Sequence, residues 1–349
     1  MSKKRYEVIA IRDYYPHNSD KSSSIFVHQQ VLGVKKYNYE TLVISPNPLF
    51  SNLFSGRYAS RDNNYQGVDI IRPKFLKFPN QIFYNISFKS LRKAIMRSGS
   101  NLDSKIIHAH FGQNGAAAVY LKNKLNLPLV TSFYGYDSGR LADRFKPYYE
   151  ALIRDGDLFL ALSKDMEKDL LNIGFPKEKI VVHHLGVDID KFKDKKSENK
   201  TFRFLVLAQF EENKGIHYAI NAFSKVLEHK KNIKLVLVGS GPYKSEIMKL
   251  INKLNISDNV EIINNLSDPE PRLVVQKQMS LCDVFLLPAI TTKSGHKQGT
   301  PVVLMEAQAC SKPCISTYHA GIPETGIDGQ TGILVNEHDT SSIVDAMIK

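Results

Sequence analysis

The chain has 349 residues, 42% of them hydrophobic and 23% charged, with a formal net charge of +12. This length is more than one ordinary core accommodates and points to two domains, and the apolar content excludes a disordered chain. Apolar runs such as Val284 to Leu287 fall far short of the ~18 residues a membrane span needs, and Val8 to Ile11 is too short for a signal-peptide centre, so a cytoplasmic location is expected.

Cys282, Cys310 and Cys314 are an odd number without a framework spacing. With Cys310 on a predicted helix, Cys314 in a predicted strand and only His319 nearby, buried thiols fit better than a metal site, and no metal is expected. Residues 1–150 hold 22 Lys and Arg against 10 Asp and Glu, whereas the remainder carries 25 of each sign. Part of the excess lies in PKFLKFPNQIFYNISFKSLRKAIMR, where Lys74, Lys77, Lys89, Arg92, Lys93 and Arg97 interleave with Phe75, Phe78, Phe83, Tyr84 and Phe88. Such mixing suits peripheral contact with an anionic membrane, at about 1 kcal/mol per basic residue near the headgroups. A solvated helix face with its aromatics in the core explains it as well. No helix-turn-helix, finger or RNP pattern supports nucleic acid as a partner.

In chain order, strands are predicted at Glu7 to Ile11, Glu40 to Ile44, Val68 to Ile71, Lys105 to His108, Leu127 to Ser132, Leu158 to Leu162 and Ile180 to His184. Helices are predicted at Ser24 to Val34, Asn114 to Leu125, Arg140 to Arg154 and Lys164 to Ile173. This alternation is that of a parallel α/β sheet. DYYPHNSDKSSS follows the first strand where a dinucleotide dehydrogenase would carry Gly-x-Gly-x-x-Gly, which argues against that class. The loops HAHFGQNG and FYGYDSG stand at strand carboxyl ends, where such sheets collect ligands, and supply His110, Gly112, Tyr134 and Asp137 as candidates.

The polar stretch DIDKFKDKKSENKT sets the domain boundary: a first domain over 1–190, a linker over 191–201 and a second domain over 202–349. The second domain is predicted as strand Phe202 to Leu207, helix Ile216 to Glu228, strand Lys234 to Val238, helix Tyr243 to Leu254, strand Val260 to Ile263, helix Pro271 to Cys282 and strand Val284 to Leu287. In QFEENKG, Lys214 and Gly215 adjoin a helix start, where ammonium and helix dipole act on the same anion. Gly239 and Gly241 of VGSGP read, taken alone, as a tight turn.

Thr300 and Pro301 read as an N-cap and first helical residue, starting a helix from Pro301 to about Cys310. The preceding loop from Ser294 to Gly299 would leave free amides, with those of Gly299, Thr300 and Val302 around a phosphate. Glu306 lies roughly 7.5 Å along this helix, at about 1.5 Å per residue, so its carboxylate could meet a hydroxyl of a ligand whose phosphates rest at the helix mouth.

QGTPVVLMEAQACSKPCIST and HAGIPETGIDGQTGILV, with HAHFG, FYGYD, HHLGVD, NKG and GSGP before them in order, resemble the retaining glycosyltransferases of family 4. The resemblance runs from about Ile106 to Lys349 and implies an α/β GT-B fold: two facing Rossmann-like domains with parallel sheets and an interdomain cleft. It further implies transfer of a sugar from a nucleotide diphosphate sugar, as co-substrate, to a glycan acceptor, without metal or other cofactor. The family's usual work on capsule, exopolysaccharide and O-antigen, with the basic first domain, suggests a lipid-linked glycan.

By the same resemblance Lys214 meets the diphosphate, Glu306 the ribose, and Gln298 and Tyr134 the donor sugar. Three positions depart from common family residues: Gln298 replaces a Glu, Tyr134 a His and Gln209 an Arg, each without the usual charge. These departures motivate a rival reading as a non-catalytic partner subunit that binds a nucleotide sugar or glycan; a nucleotide-sugar epimerase on the same fold is a second rival. Family members usually continue beyond a segment like SSIVDAMIK, so the chain is expected to be a short member or a fragment.

Overall fold

The structure, a computed structural model, describes residues 5–49, 62–78, 83–139, 142–193, 201–326 and 328–349. Its contacts divide the chain into two compact units, one of Met1–Ala161 with Glu167–Val182, the other of Leu162–Met166 with His183–Lys349. Most of the expected linker, residues 194–200, and the expected start of a helix at Arg140 lie outside the described residues.

In the first unit the elements run β1 (Val8–Ile11), α1 (Ile25–Lys36), β2 (Thr41–Ile44), β3 (Asn47–Pro48), β4 (Asn64–Tyr65), β5 (Val68–Ile71), β6 (Lys74–Phe75), α2 (Tyr84–Gly99), β7 (Ile106–His110), α3 (Gly112–Leu125), β8 (Leu129–Ser132), α4 (Ala142–Asp155), β9 (Leu158–Ala161), α5 (Lys164–Ile173), whose start up to Met166 groups with the second unit, and β10 (Ile180–Val182). Among the described residues the main sheet has the order β10-β9-β8-β7-β1-β2-β5-β4, parallel except for the β4–β5 pair. The chain builds outward in both directions from β1 and β7, which places a topological switch point between them.

The basic, aromatic stretch forms α2, whose core side is Phe88, Leu91, Ala94 and Ile95. Phe75 and Phe88 are buried, as a core face requires, whereas Phe83 and Ile86 remain exposed at the start of the helix. Lys89, Lys93 and Arg97 recur every fourth residue on the exposed side and therefore share one face. Arg92 instead lies over the Tyr120 ring, 4.2 Å from its centroid. Among the described residues no helix is long and apolar enough to cross a membrane.

The second unit continues with β11 (Phe202–Leu207), α6 (Ile216–His229), β12 (Ile233–Val238), α7 (Lys244–Lys253), β13 (Val260–Ile263), α8 (Pro271–Leu281), β14 (Val284–Leu287), α9 (Val302–Ala309), β15 (Cys314–Thr317), β16 (Gly332–Val335) and α10 (Thr340–Ile348). Its sheet, wholly parallel, has the order β13-β12-β11-β14-β15-β16, the doubly wound pattern with its switch point between β11 and β14. Alternate residues serve opposite faces: Phe204, Val206, Leu235 and Leu237 enter one apolar layer, Leu205, Val236 and Val238 the other. α6 buries Ile216, Ala219, Ile220, Phe223 and Val226, the spacing of one helical face. The three cysteines are buried and form no disulfide among the described residues, and burial holds the Cys282 and Cys314 thiols up at about 12.

Two local expectations at α9 are corrected. The helix begins at Val302 with Pro301 in the capping position, and no side chain caps it. Thr300 is buried, and its hydroxyl donates to the Leu162 carbonyl, 138 residues away, at 3.1 Å. A tertiary acceptor has taken the hydroxyl that a local cap would have used. At the other end Cys310 follows the last helical residue instead of belonging to the helix.

Candidate functional site

The loops after β11 and β14 meet at the second unit's switch point. A single 3-10 turn, Glu212–Lys214, follows β11, and Gly215 then opens α6 in the left-handed region at φ 62°. Only glycine fits there, because a Cβ would stand 1.8 Å from the Pro288 carbonyl oxygen. The Ile290 amide donates to the Asn213 carbonyl at 3.0 Å, joining the two loops. Lys214 is therefore held where the sheet opens. Burial pushes its ammonium down to about 8, with Glu211 opposing. Among the described residues it forms no ion pair.

Gly239 and Gly241 bring a third loop against the first. A Cβ on Gly239, at φ +149°, would lie 1.9 Å from the Ala208 carbonyl oxygen, and one on Gly241 2.5 Å from that of Phe210. The Phe210 amide also donates to the Ser240 carbonyl at 3.0 Å. These glycines thus set the approach of two backbones. Gln209, on the same loop, is exposed.

The loop between β14 and α9 is pinned at several points. Thr292 and His296 close a turn through Gly295, the Lys297 ammonium lies 2.6 Å from Asp165, and the Gln298 amide donates to Nε2 of His319 at 3.0 Å. His319 Nδ1 lies 2.7 Å from Oε1 of Glu337, whose other oxygen accepts from the Thr291 amide at 2.6 Å. An acceptor Nε2 leaves the proton on Nδ1, so the ring is neutral and donates to Glu337. Burial is the main cause that keeps His319 below its ordinary pKa, and the Lys214 ammonium acts in the same direction. Sequence reasoning weighed His319 only as a metal ligand beside cysteines and missed Glu337. Its nearest signal was the HAGIPE motif, which shows nothing of a partner 18 residues onward.

Among the described residues, Oδ1 of Asn213, Oε1 of Gln298 and Oε2 of Glu306 are buried here without a hydrogen-bond partner. Glu306, 2% exposed, sits on α9, and its Oε1 accepts from Arg272 of α8 at 2.8 Å. Arg272 was not among the expected residues. The candidates Gly299, Thr300, Pro301 and Val302 carry the chain into α9, with Thr300 and Pro301 buried.

The first unit's candidates gather in one cluster of their own. Asp137 is wholly buried; its two oxygens accept from the Gly112 amide at 2.7 Å and the Tyr134 amide at 2.9 Å. Burial raises its carboxyl to about 6 against these bonds. Through these two bonds Asp137 ties the loop after β8 to the start of α3. Gly112 is equally enclosed, since a Cβ would meet the Tyr149 hydroxyl at 2.3 Å. The Tyr134 hydroxyl accepts from Gln30 at 3.1 Å and lies 2.6 Å from His110 Nδ1. Burial, aided by His108 and Arg12, keeps the His110 ring neutral, and its Nε2 has no partner.

A family model of the Glycosyl transferases group 1 matches residues 188–349, and one of Glycosyltransferase Family 4 matches residues 27–191. WcaL of Salmonella typhimurium, a glycosyltransferase assigned to colanic acid biosynthesis, is 34% identical over 67% of this chain and 58% of its own length. The chain thus spans less than two thirds of that relative. The amylovoran biosynthesis glycosyltransferase AmsK of Erwinia amylovora is 29% identical over 81% of this chain and 72% of its own length. Among solved structures, Anabaena HepE in complex with UDP and glucose matches with a TM-score of 0.72 at 14% identity, covering 98% of this chain and 88% of HepE.

Proposed function

The chain belongs to the group 1 glycosyltransferases and has their GT-B fold, and from that premise we propose that it moves a sugar from a nucleoside diphosphate sugar to a glycan acceptor in polysaccharide synthesis. The observation that carries the reading is the open chemistry at the second unit's switch point. Lys214 has no ion-pair partner among the described residues, and Glu306 and Gln298 each hold a buried oxygen without a donor. A diphosphate, a ribose and a sugar together supply the anion and the hydroxyl donors these groups lack.

In the proposed reaction the bond from the anomeric carbon to the phosphate oxygen breaks while a bond to the acceptor hydroxyl oxygen forms on the same face, with retention. The acceptor's proton passes to the leaving phosphate, so no nucleophilic side chain is needed and no metal is assigned a step. Charge grows on the diphosphate as the bond breaks. In this proposal Lys214 and the amides opening α9 meet that charge. Glu306 holds the ribose, and Gln298 meets a sugar hydroxyl through an uncharged oxygen.

The acceptor in this proposal is lipid-linked, and the exposed Lys89, Lys93 and Arg97 face of α2 rests on an anionic bilayer. Replacing Lys89, Arg92, Lys93 and Arg97 together by Gln should weaken binding to phosphatidylglycerol vesicles, and unchanged binding would remove the membrane contact. The main test is calorimetric titration with UDP, GDP, ADP and TDP, then turnover of the matching nucleotide sugars with glycan acceptors. Tight binding of one nucleotide and acceptor-dependent transfer are expected. Binding without turnover, unrepaired by Gln298→Glu, would instead identify a partner subunit, and donor conversion without acceptor an epimerase.

A further inference from the structure

Arg272 is the second residue of α8, in its first turn, where the helix dipole disfavours a cation. Its position is explained by what it touches. One guanidinium nitrogen donates to Oε1 of Glu306 at 2.8 Å, and the guanidinium carbon lies 5.1 Å from the centre of the Phe192 ring. Phe192 is itself buried among Val275, Met279 and Leu304. Ring and carboxylate hold the guanidinium in one orientation, and the guanidinium in turn fixes the carboxylate. The second oxygen of Glu306 is left buried with no donor among the described residues, a state that proteins seldom keep without a water, an ion or a ligand to complete it.

We infer that Arg272 is a positioning residue that engages one oxygen of Glu306 and so presents the other as a fixed acceptor for a ribose hydroxyl. The inference rests on the nucleotide-sugar reading of this site. It adds that the strictness with which the site demands ribose, as opposed to deoxyribose, is set from α8. A lysine cannot replace the arginine in this, since it lacks the planar fork and stacks poorly on an aromatic face.

The test measures binding of UDP, GDP and ADP and of their 2′-deoxy and 3′-deoxy counterparts to the parent chain, Arg272→Lys, Arg272→Gln and Glu306→Ala. The parent should prefer one ribonucleotide over a deoxy counterpart by roughly 10- to 100-fold, the worth of a hydrogen bond to a charged acceptor. Both Arg272 variants should bring that ratio close to 1, chiefly by weakening the ribonucleotide, with the deoxynucleotide affinity within about threefold of the parent's. Equal weakening of both nucleotides would mean that Arg272 merely supports the fold, and an unchanged ratio would mean that it does not orient Glu306; either result overturns the inference. Arg272→Lys, which keeps the charge, serves where Arg272→Gln fails to fold. Glu306→Ala separates the two levels. If it leaves the ratio unchanged, or if no nucleotide binds the parent, the reading of the site fails and the role of Arg272 falls with it. If Glu306→Ala abolishes the preference while the Arg272 variants keep it, only the role of Arg272 fails.

Discussion

In the first unit, Asp137 has both oxygens occupied by backbone amides, the Tyr134 hydroxyl is shared by Gln30 and His110, and Arg12 is placed among Ser24, Asp13 and the Phe111 ring. In the second, Lys214 has no ion pair among the described residues, and Glu306 leaves an oxygen buried and open. By residue type both sets read as ligand-facing, yet the charges of the first unit are spent on shaping their own loops. Titratable residues thus divide into those whose polar atoms build a loop, as those of Asp137 do, and those with an atom still open, as Lys214, Glu306 and, at Nε2, His110 have, and the division is visible only in which lone pairs and protons are already engaged.

The sharpest way to break this comparison is to remove the open charge. Lys214→Ala should weaken nucleoside diphosphate binding by about 1.5–3 kcal/mol, roughly 10- to 100-fold, while leaving the melting temperature nearly unchanged. The parent's affinity should also depend on pH in a defined direction. With the free ammonium at about 8, binding is at full strength below that pH and weakens by up to about tenfold per unit above it, because the anion favours the protonated form. Lys214→Arg should flatten this slope. Titrations at pH 7 and 9 that give equal dissociation constants for the parent would show that the ammonium does not meet the phosphates.

The fold was largely legible because short β-branched and aromatic runs mark strands even where a charged residue interrupts them: Val68–Ile71, Phe202–Leu207, Val260–Ile263 and Val284–Leu287 all stand at their expected bounds, although only the last is apolar throughout. α2 was harder to see as a helix with a core face, since Ser87 and Gly99 on its buried side are not apolar signals. Lys214 and Glu306 stood out through charge beside a helix start, a local pattern. Their partners did not, because the Arg272–Glu306 and His319–Glu337 pairs join residues 34 and 18 positions apart on different elements. Thr300 shows the opposite failure, a sound local signal overruled by a distant carbonyl. Gly239 reads as a turn, but the need for glycine comes from the Ala208 carbonyl pressing on it from another strand end.

Asp137→Asn tests the comparison from the satisfied side. An amide offers one acceptor where two backbone donors converge, so about 1–3 kcal/mol of stability should be lost, read by urea unfolding at pH 7. The sign of its pH dependence is opposite to that of a salt-bridged carboxylate. The folded carboxyl, at about 6 against 3.8 for the ordinary side chain, binds more protons than the unfolded one between those values. Its contribution to stability is greatest below the lower pKa and is lost as pH rises through the upper one. The deficit of the variant should therefore be larger at pH 4.5 than at pH 7, with nucleotide affinity within about threefold of the parent's. A loss of affinity at unchanged stability would place Asp137 with the ligand-facing residues.

The smallest effect is expected at Tyr134, where Phe keeps the packing on Phe26 and Phe111, with ring centroids 4.9 and 4.6 Å away, and deletes only the hydroxyl. Gln30 and His110 each lose a partner, and His110, whose Nε2 is already unpaired, is left with no side-chain bond at either nitrogen. Net loss for one such hydroxyl is about 1 kcal/mol. Because the hydroxyl is engaged within its own unit, donor turnover should change by less than about threefold. If Tyr134→Phe instead lowers kcat tenfold or more at unchanged stability, the hydroxyl meets the sugar in the reacting complex. The two bonds to Gln30 and His110 would then be holding it in place for that contact, and the first unit's cluster would count as a prepared site in its own right.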